Sequence, residues 1–447
     1  MTAGIDESRI NVSRQRRRLW PKSLAGKAAA AFVVAVLLLV VAWFAALVVM
    51  ERRLAAAMKR AEVEFGLPNS IEAMLPGPVA AERNAAAPLD EAAGIVRPYF
   101  RNFGFAPSRD LVGFCLQADP SLGRRLLIEE VNRLLDEVDH RKEFAPIDPI
   151  RRPWVLQPTS APHRPRLLLL ESEAIVGRQL ASDGKPNEAA RRLLRVLRIN
   201  RKWTAGEPWF GDFAGDVNRR GVVIEELNRI LRTGRIESAL YDAIDREMEE
   251  QDRCQELFVR QYYIEMLKRL DDFEINPNRR QAWWLIGPLA ANDRLLIVEW
   301  YARIMRCIPR PYAEVKDELE AADAELRAIS NHRLGRFLHP DAMGVTSKSY
   351  RGDWLQAEAR CLRIINAMAK SGRWEAELDT LGLPNEALVD PVNRQRLHVK
   401  KTPTGPIVYS VGLDRKDNGG TLEGNTIDGL DIGLGPVSAK GTKQTAK

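Results

Sequence analysis

The dominant feature of the hydropathy pattern is the run from Ala28 to Met50, AAAAFVVAVLLLVVAWFAALVVM, twenty-three residues without a charge and without a polar stripe at helical spacing. As a helix rising about 1.5 Å per residue, such a run covers the roughly 30 Å hydrocarbon core of a bilayer. A buried core helix would keep a polar stripe. A cleavable signal would have a shorter apolar region followed by small residues, whereas Glu51-Arg52-Arg53 follow here. The pattern therefore predicts a single-pass signal anchor at 28–50. Beyond it, Leu54, Met58, Ala61 and Phe65 recur at i, i+4, i+7 and i+11, so the helix is expected to continue as an amphipathic stalk until Leu67-Pro68 stops it.

The stretch 68–92 is rich in Pro and Ala and reads as a connector with one short helix, so 51–92 is stalk and linker. From about 93 to 375 the apolar spacing is helical. Ala189, Leu193, Val196 and Leu197 form one stripe, with Arg191, Arg192, Arg195 and Arg198 on the opposite, solvated side. Val223, Leu227, Ile230 and Leu231 repeat the spacing, as do Ala357, Cys361, Ile364, Ile365 and Met368. Asp183-Gly184-Lys185-Pro186, Gly206-Glu207-Pro208 and Pro309-Arg310-Pro311 break the helices apart. In 376–447 the period shifts to two. Leu397 and Val399 alternate, Thr402-Pro403-Thr404-Gly405 supplies a turn, and Ile407, Tyr409 and Val411 alternate again, which reads as a β-hairpin leading into a glycine-rich loop and a flexible tail. The fold expected is mainly α, with a small C-terminal β element.

Charge assigns the topology. Seven basic residues precede the apolar run (Arg9, Arg14, Arg16, Arg17, Arg18, Lys22 and Lys27), against Arg52, Arg53, Lys59 and Arg60 just after it. The positive-inside rule places the arm 1–27 in the cytoplasm and the bulk of the chain outside it, anchored in the cytoplasmic membrane. Trp20 and Trp43 fall near the two interfaces. Of the net charge of +7, the arm contributes +5 and the tail after Asp431 contributes +3, leaving the body nearly neutral. The basic balance thus belongs to topology, and a nucleic-acid partner is not expected.

The chain holds four cysteines, Cys115, Cys254, Cys307 and Cys361, none in a C-x-x-C pair, which excludes zinc ribbons and c-type haem attachment. Three disulfide connectivities are open to four cysteines in an oxidising compartment, but Cys361 sits on an apolar stripe and is expected as a buried free thiol. No nucleophile elbow, H-E-x-x-H, phosphate-binding loop or dinucleotide fingerprint occurs. The acidic pairs Glu225-Glu226, Glu249-Glu250 and Asp271-Asp272 are helix neighbours that diverge by about 100°, so they read as solvated faces. His339-Pro340-Asp341 lacks the basic helix that would make it a co-chaperone motif, and His332 with His339 lacks a third metal ligand. Trp283-Trp284-Leu285-Ile286-Gly287-Pro288 reads most simply as core, with a membrane-surface dip or a groove lining as the other readings. No catalytic residue is assigned.

Two local patterns resemble known families. Gly177, Leu180, Gly184, Ala189 and Leu197 fall near the offsets of a tetratricopeptide repeat, without a 34-residue period elsewhere, so an irregular bundle or TPR-like solenoid is expected. Tyr409 to Gly420, YSVGLDRKDNGG, resembles the C-terminal end of the type II secretion major pseudopilin. The wider layout, carried by the stretches 82–93, 181–199, 359–374 and 381–397 in that order along the chain, resembles a group of uncharacterised single-pass membrane proteins of planctomycete-type bacteria. The pseudopilin resemblance implies a calcium-closed loop, for which Asp414, Asp417, Asn418, Asp428 and Asp431 supply oxygens. The bland reading of the same residues is turn chemistry. Processing as a pilin is not expected, because Gly26 is followed by Lys27 and the fifth position holds Ala31. The function expected is a non-enzymatic, membrane-anchored binding or scaffolding protein of the envelope, with an unidentified protein partner. The alternatives are an accessory of a secretion or pilus-like assembly and an envelope hydrolase.

Overall fold

The computed structural model describes residues 24–74, 79–80, 82–100, 115–116, 118–141, 164–206, 210–275, 277–331, 351–412, 414–422 and 431–436. The apolar run and the stalk form one unbroken helix, α1 (Leu24–Phe65). Its first part leaves Phe32, Leu39 and Phe44 exposed. Its second part buries Leu54, Ala57 and Ala61. Gly66, at φ 64°, ends the helix before Leu67-Pro68, as a residue free to adopt the left-handed region does. The helix is long and apolar enough to cross a membrane.

The stalk is no free rod. Together with α8 (Gln255–Ile275), α9 (Pro277–Cys307) and α10 (Tyr312–Asn331) it encloses a first apolar core around Phe258, Tyr262, Tyr263, Tyr301 and Met305. A turn of helix at Ile71–Met74 closes this core, and Arg260 donates to the Met74 carbonyl at 2.7 Å. A second core gathers α2 (Ala86–Val96), α3 (Glu129–His140), α4 (Arg164–Ser182), α5 (Pro186–Gly206), α6 (Phe210–Thr233), α7 (Ser238–Asp252) and most of α11 (Arg351–Ser371). Helix α11 joins the two, with Leu355 in the first and Leu362, Ile365 and Met368 in the second.

Three expectations need correction. The connector 68–92 holds only as far as Ala85, because α2 begins at Ala86 and buries Leu89, Ala92 and Ala93 in the second core. The arginine face of α5 is not solvated as a whole: Arg192 and Arg195 are buried against Glu173 of α4, and Arg195 and Arg198 reach Asp136 and Asp139 of α3 at 2.5 and 2.6 Å. Arg191 alone among the four keeps the solvated role, in an exposed pair with Glu237. The acidic pairs divide the same way, since Glu226 is buried and held by Arg178 through bonds of 3.0 and 3.1 Å, while Glu249 and Glu250 pair with Arg253 at the surface.

The α4–α5 hairpin follows its spacing. A Cβ at Gly177 would lie 2.9 Å from the Leu193 side chain, so only glycine allows this approach, and Gly184 turns the chain at φ 77°. At the C-terminus, β1 (His398–Lys400) and β2 (Ile407–Ser410) form the expected antiparallel hairpin, with His398 opposite Tyr409. The glycine-rich loop then returns as an unexpected third strand, β3 (Ile432–Leu434), giving an antiparallel sheet of order β1-β2-β3. Gly433 permits this pairing: a Cβ there would collide with the Val408 carbonyl and lie 2.6 Å from Tyr409 Cβ. The sheet lies on α11 and is tied to α6, where Asn228 donates to the Gly435 carbonyl and Arg232 donates to that of Pro406, each at 2.9 Å.

Candidate functional site

The loop between β2 and β3 brings Asp414, Asp417, Asn418 and Asp431 together; Asp428 lies outside the described residues. Asp431 accepts the backbone N–H groups of Asn418 and Gly420 at 3.2 and 2.7 Å. Asp414 accepts the Lys416 N–H at 3.0 Å and the Asn418 side-chain amide at 3.1 Å. Asp417 accepts the Gly419 N–H at 2.8 Å and the Tyr409 hydroxyl at 3.0 Å, beneath His398 stacked on the Tyr409 ring at 5.1 Å. The Gly419 bond and the Tyr409 hydroxyl hold the Asp417 carboxyl below the usual range. Burial raises Asp431 against the N–H groups that favour its charge. Burial, with the bond to Asp417, pushes the Tyr409 phenol up to about 12, so it serves as a donor at neutral pH.

Calcium needs about six to eight oxygens facing one centre. In this arrangement the carboxylates instead turn toward N–H and O–H donors, and among the described residues no three His, Cys, Asp or Glu side chains are spaced to hold one ion. As it stands, the donor set makes the turns of the loop.

A second group was missed in the sequence. Asp390, fully buried, accepts the Val392 N–H and the Ser410 hydroxyl at 2.8 Å each and the Val411 N–H at 3.1 Å. It thereby fixes the end of β2 to the turn that follows Ala387-Leu388. Beside it, Asp353 at the start of α11 accepts the Tyr312 N–H at 2.6 Å. Burial pushes Asp353 up to about 7, with Asp390 adding to the rise and Arg394 and Arg360 opposing it. Deeper in the bundle, Arg220 donates to Asn200 and Gln251 at 2.8 Å each and is among the largest fully buried side chains. One signal could have found it: Arg220 occupies the same stripe as Val223, Leu227 and Ile230.

The four cysteines are free and buried, which leaves the disulfide pairings unused. Burial raises Cys115 and Cys307 to about 11 and Cys254 to about 12. These thiols stay protonated at neutral pH and are poor nucleophiles or metal ligands. His332 and His339-Pro340-Asp341 lie outside the described residues. No family model, no curated protein and no solved structure matches the chain.

Proposed function

We propose that the protein is a membrane-anchored scaffolding or binding protein of the cell envelope, with its N-terminus in the cytoplasm and its helical body outside. One observation carries this reading: α1 is exposed and apolar over the length of a bilayer and then, without a break, becomes part of the body's core. A transient signal has no need of such continuity. The buried ionisable groups add support, because Glu173, Glu226, Arg220 and Asp390 are spent on holding helices and sheet together. A non-enzymatic role with a protein partner is the reading that follows, and an envelope hydrolase would need carboxylates facing an open cleft instead.

Fractionation tests the placement. The full chain is expected to stay in the membrane pellet after a high-pH carbonate wash, and protease added to spheroplasts is expected to digest the body while sparing 1–50. Release by the wash, or a body protected from external protease, would overturn the reading.

A second reading makes the sheet a docking cap for a secretion or pilus-like assembly, ordered by calcium. What favours it is the gathering of Asp414, Asp417 and Asp431 around Asn418. It requires these carboxylates to exchange N–H donors for a cation. A ligand of the native state alone raises the melting temperature by mass action. This reading expects a clear rise in millimolar calcium over chelator that is lost in Asp431→Ala, and coincident melts would remove it.

A further inference from the structure

We infer that the face of α1 just beyond the apolar run, built from Arg52, Arg53, Lys59 and Arg60, binds anionic phospholipid headgroups of the leaflet from which the body rises. This rests on α1 being a membrane span. The four cations stand at i, i+1, i+7 and i+8, a spacing that in a helix of 3.6 residues per turn puts them on one face, and all four are exposed. The packed face of the same stretch, with Leu54, Ala57 and Ala61 buried, points into the first core. The carboxylates of the stretch are all engaged. Glu51 pairs with Arg294 at 3.8 Å, Glu62 accepts from the Asn69 amide at 2.8 Å, and Glu64 is bonded to Arg306 at 2.5 and 2.8 Å. Helix α1 is thus sorted by charge, its acids taken within the chain and its bases left facing outward.

Among the described residues none of the four cations has an ionic partner. Exposed arginines elsewhere do: Arg133 has Glu130 and Glu137, Arg253 has Glu249 and Glu250, and Arg310 has Glu318. Like charges along one face repel, so this face favours a partner that brings anions. Position selects that partner. Arg52 and Arg53 lie two and three residues past Met50, which is about 3–5 Å beyond the apolar run, and the headgroup layer is about 5–8 Å deep on each side of the hydrocarbon. A guanidinium at that depth meets phosphate oxygens with two parallel N–H bonds. Lys59 and Arg60 stand about 10 Å higher, with side chains that lean toward the helix N-terminus and hence toward the bilayer. From there they act on the headgroup charge through a field that reaches about 8–10 Å. An acidic protein would meet the same charges, but lipid is what brings phosphate to the depth of Arg52 and Arg53.

The test uses the full chain in vesicles of phosphatidylcholine with a minor share of phosphatidylglycerol. A neutral fluorophore is attached at Ala56→Cys, an exposed position between the two pairs of cations, while the native thiols are buried. One lipid or the other, at equal mole fraction, carries a nitroxide near its headgroup, whose short-range quenching reports the near leaflet. The expected result in about 0.1 M salt is quenching several-fold stronger by labelled phosphatidylglycerol than by labelled phosphatidylcholine. That preference should shrink in about 1 M salt. It should vanish when Arg52→Gln, Arg53→Gln, Lys59→Gln and Arg60→Gln are combined, changes confined to exposed side chains. Equal quenching by the two lipids, as an acidic protein partner for this face would leave it, would overturn the inference, and so would a preference that survives the combined variant. A fluorophore at Phe44→Cys, within the apolar run, is quenched by both lipids if α1 spans the bilayer. No quenching there would instead overturn the anchor reading on which the inference stands.

Discussion

Asp390→Ala is expected to loosen the C-terminal sheet and to lower global stability by about 3–5 kcal/mol, since each buried donor left without an acceptor costs roughly 1–3 kcal/mol. The carboxylate is fully buried and accepts from Val392, Ser410 and Val411, and the Ala methyl offers no replacement. Because Ser410 ends β2 and Val411 follows it, the loss should spread along β2, the central strand, which lies on α11. Asp390→Asn keeps one oxygen and is expected to lose less. Denaturant melts of both variants check the order, and amide exchange should quicken at 407–411 before it does in α4 and α5. Equal stability for wild type and Asp390→Ala would show that the sheet is held by its apolar contacts alone.

A second large effect runs through pH. Asp353 titrates near 3.8 when unfolded and at about 7 in the folded protein, chiefly because it is buried. Below the unfolded value both states hold the proton and the group is neutral to stability. As pH rises toward 7, the unfolded chain releases its proton while the folded chain keeps it, so stability falls. At about 1.4 kcal/mol per pH unit over this window, the loss is on the order of 4 kcal/mol. Asp353→Asn preserves an acceptor for the Tyr312 N–H without the ionisation. This variant should therefore be more stable than wild type at pH 8 and nearly equal to it at pH 3.5. A difference that stays the same at both pH values would assign the effect to packing.

These two residues also show where sequence reading stops. The apolar run, the stalk spacing 54–58–61–65 and the α4–α5 hairpin are local patterns, and local patterns survive folding when they match the period of one element. The end of α1 at Phe65 and the turn at Gly184 follow from Pro68 and Gly184 themselves. Burial of charge depends on what arrives from elsewhere. Arg192 and Arg195 look like a water-facing stripe until α3 and α4 bring Asp136 and Glu173 to meet them. Likewise β3 is invisible in Asp431-Ile432-Gly433-Leu434, because three residues carry no period and the strand exists only through its pairing with β2. Asp390 belongs to the same class, as a turn residue whose partners at 410 and 411 lie twenty positions on. The orientation of the loop carboxylates Asp414, Asp417 and Asp431 is likewise set by which N–H groups the loop presents.

The continuity of α1 has a consequence for biogenesis. Leu54, Ala57 and Ala61 complete the core formed with Phe258, Tyr262 and Tyr301, so that core cannot close until some two hundred and fifty residues have followed the apolar run out of the ribosome. This helix is made first and finished last, and it waits, half unsatisfied, for α8 and α9. A protease that cut within 54–61 would not release an intact helical body, because it would remove one wall of its core.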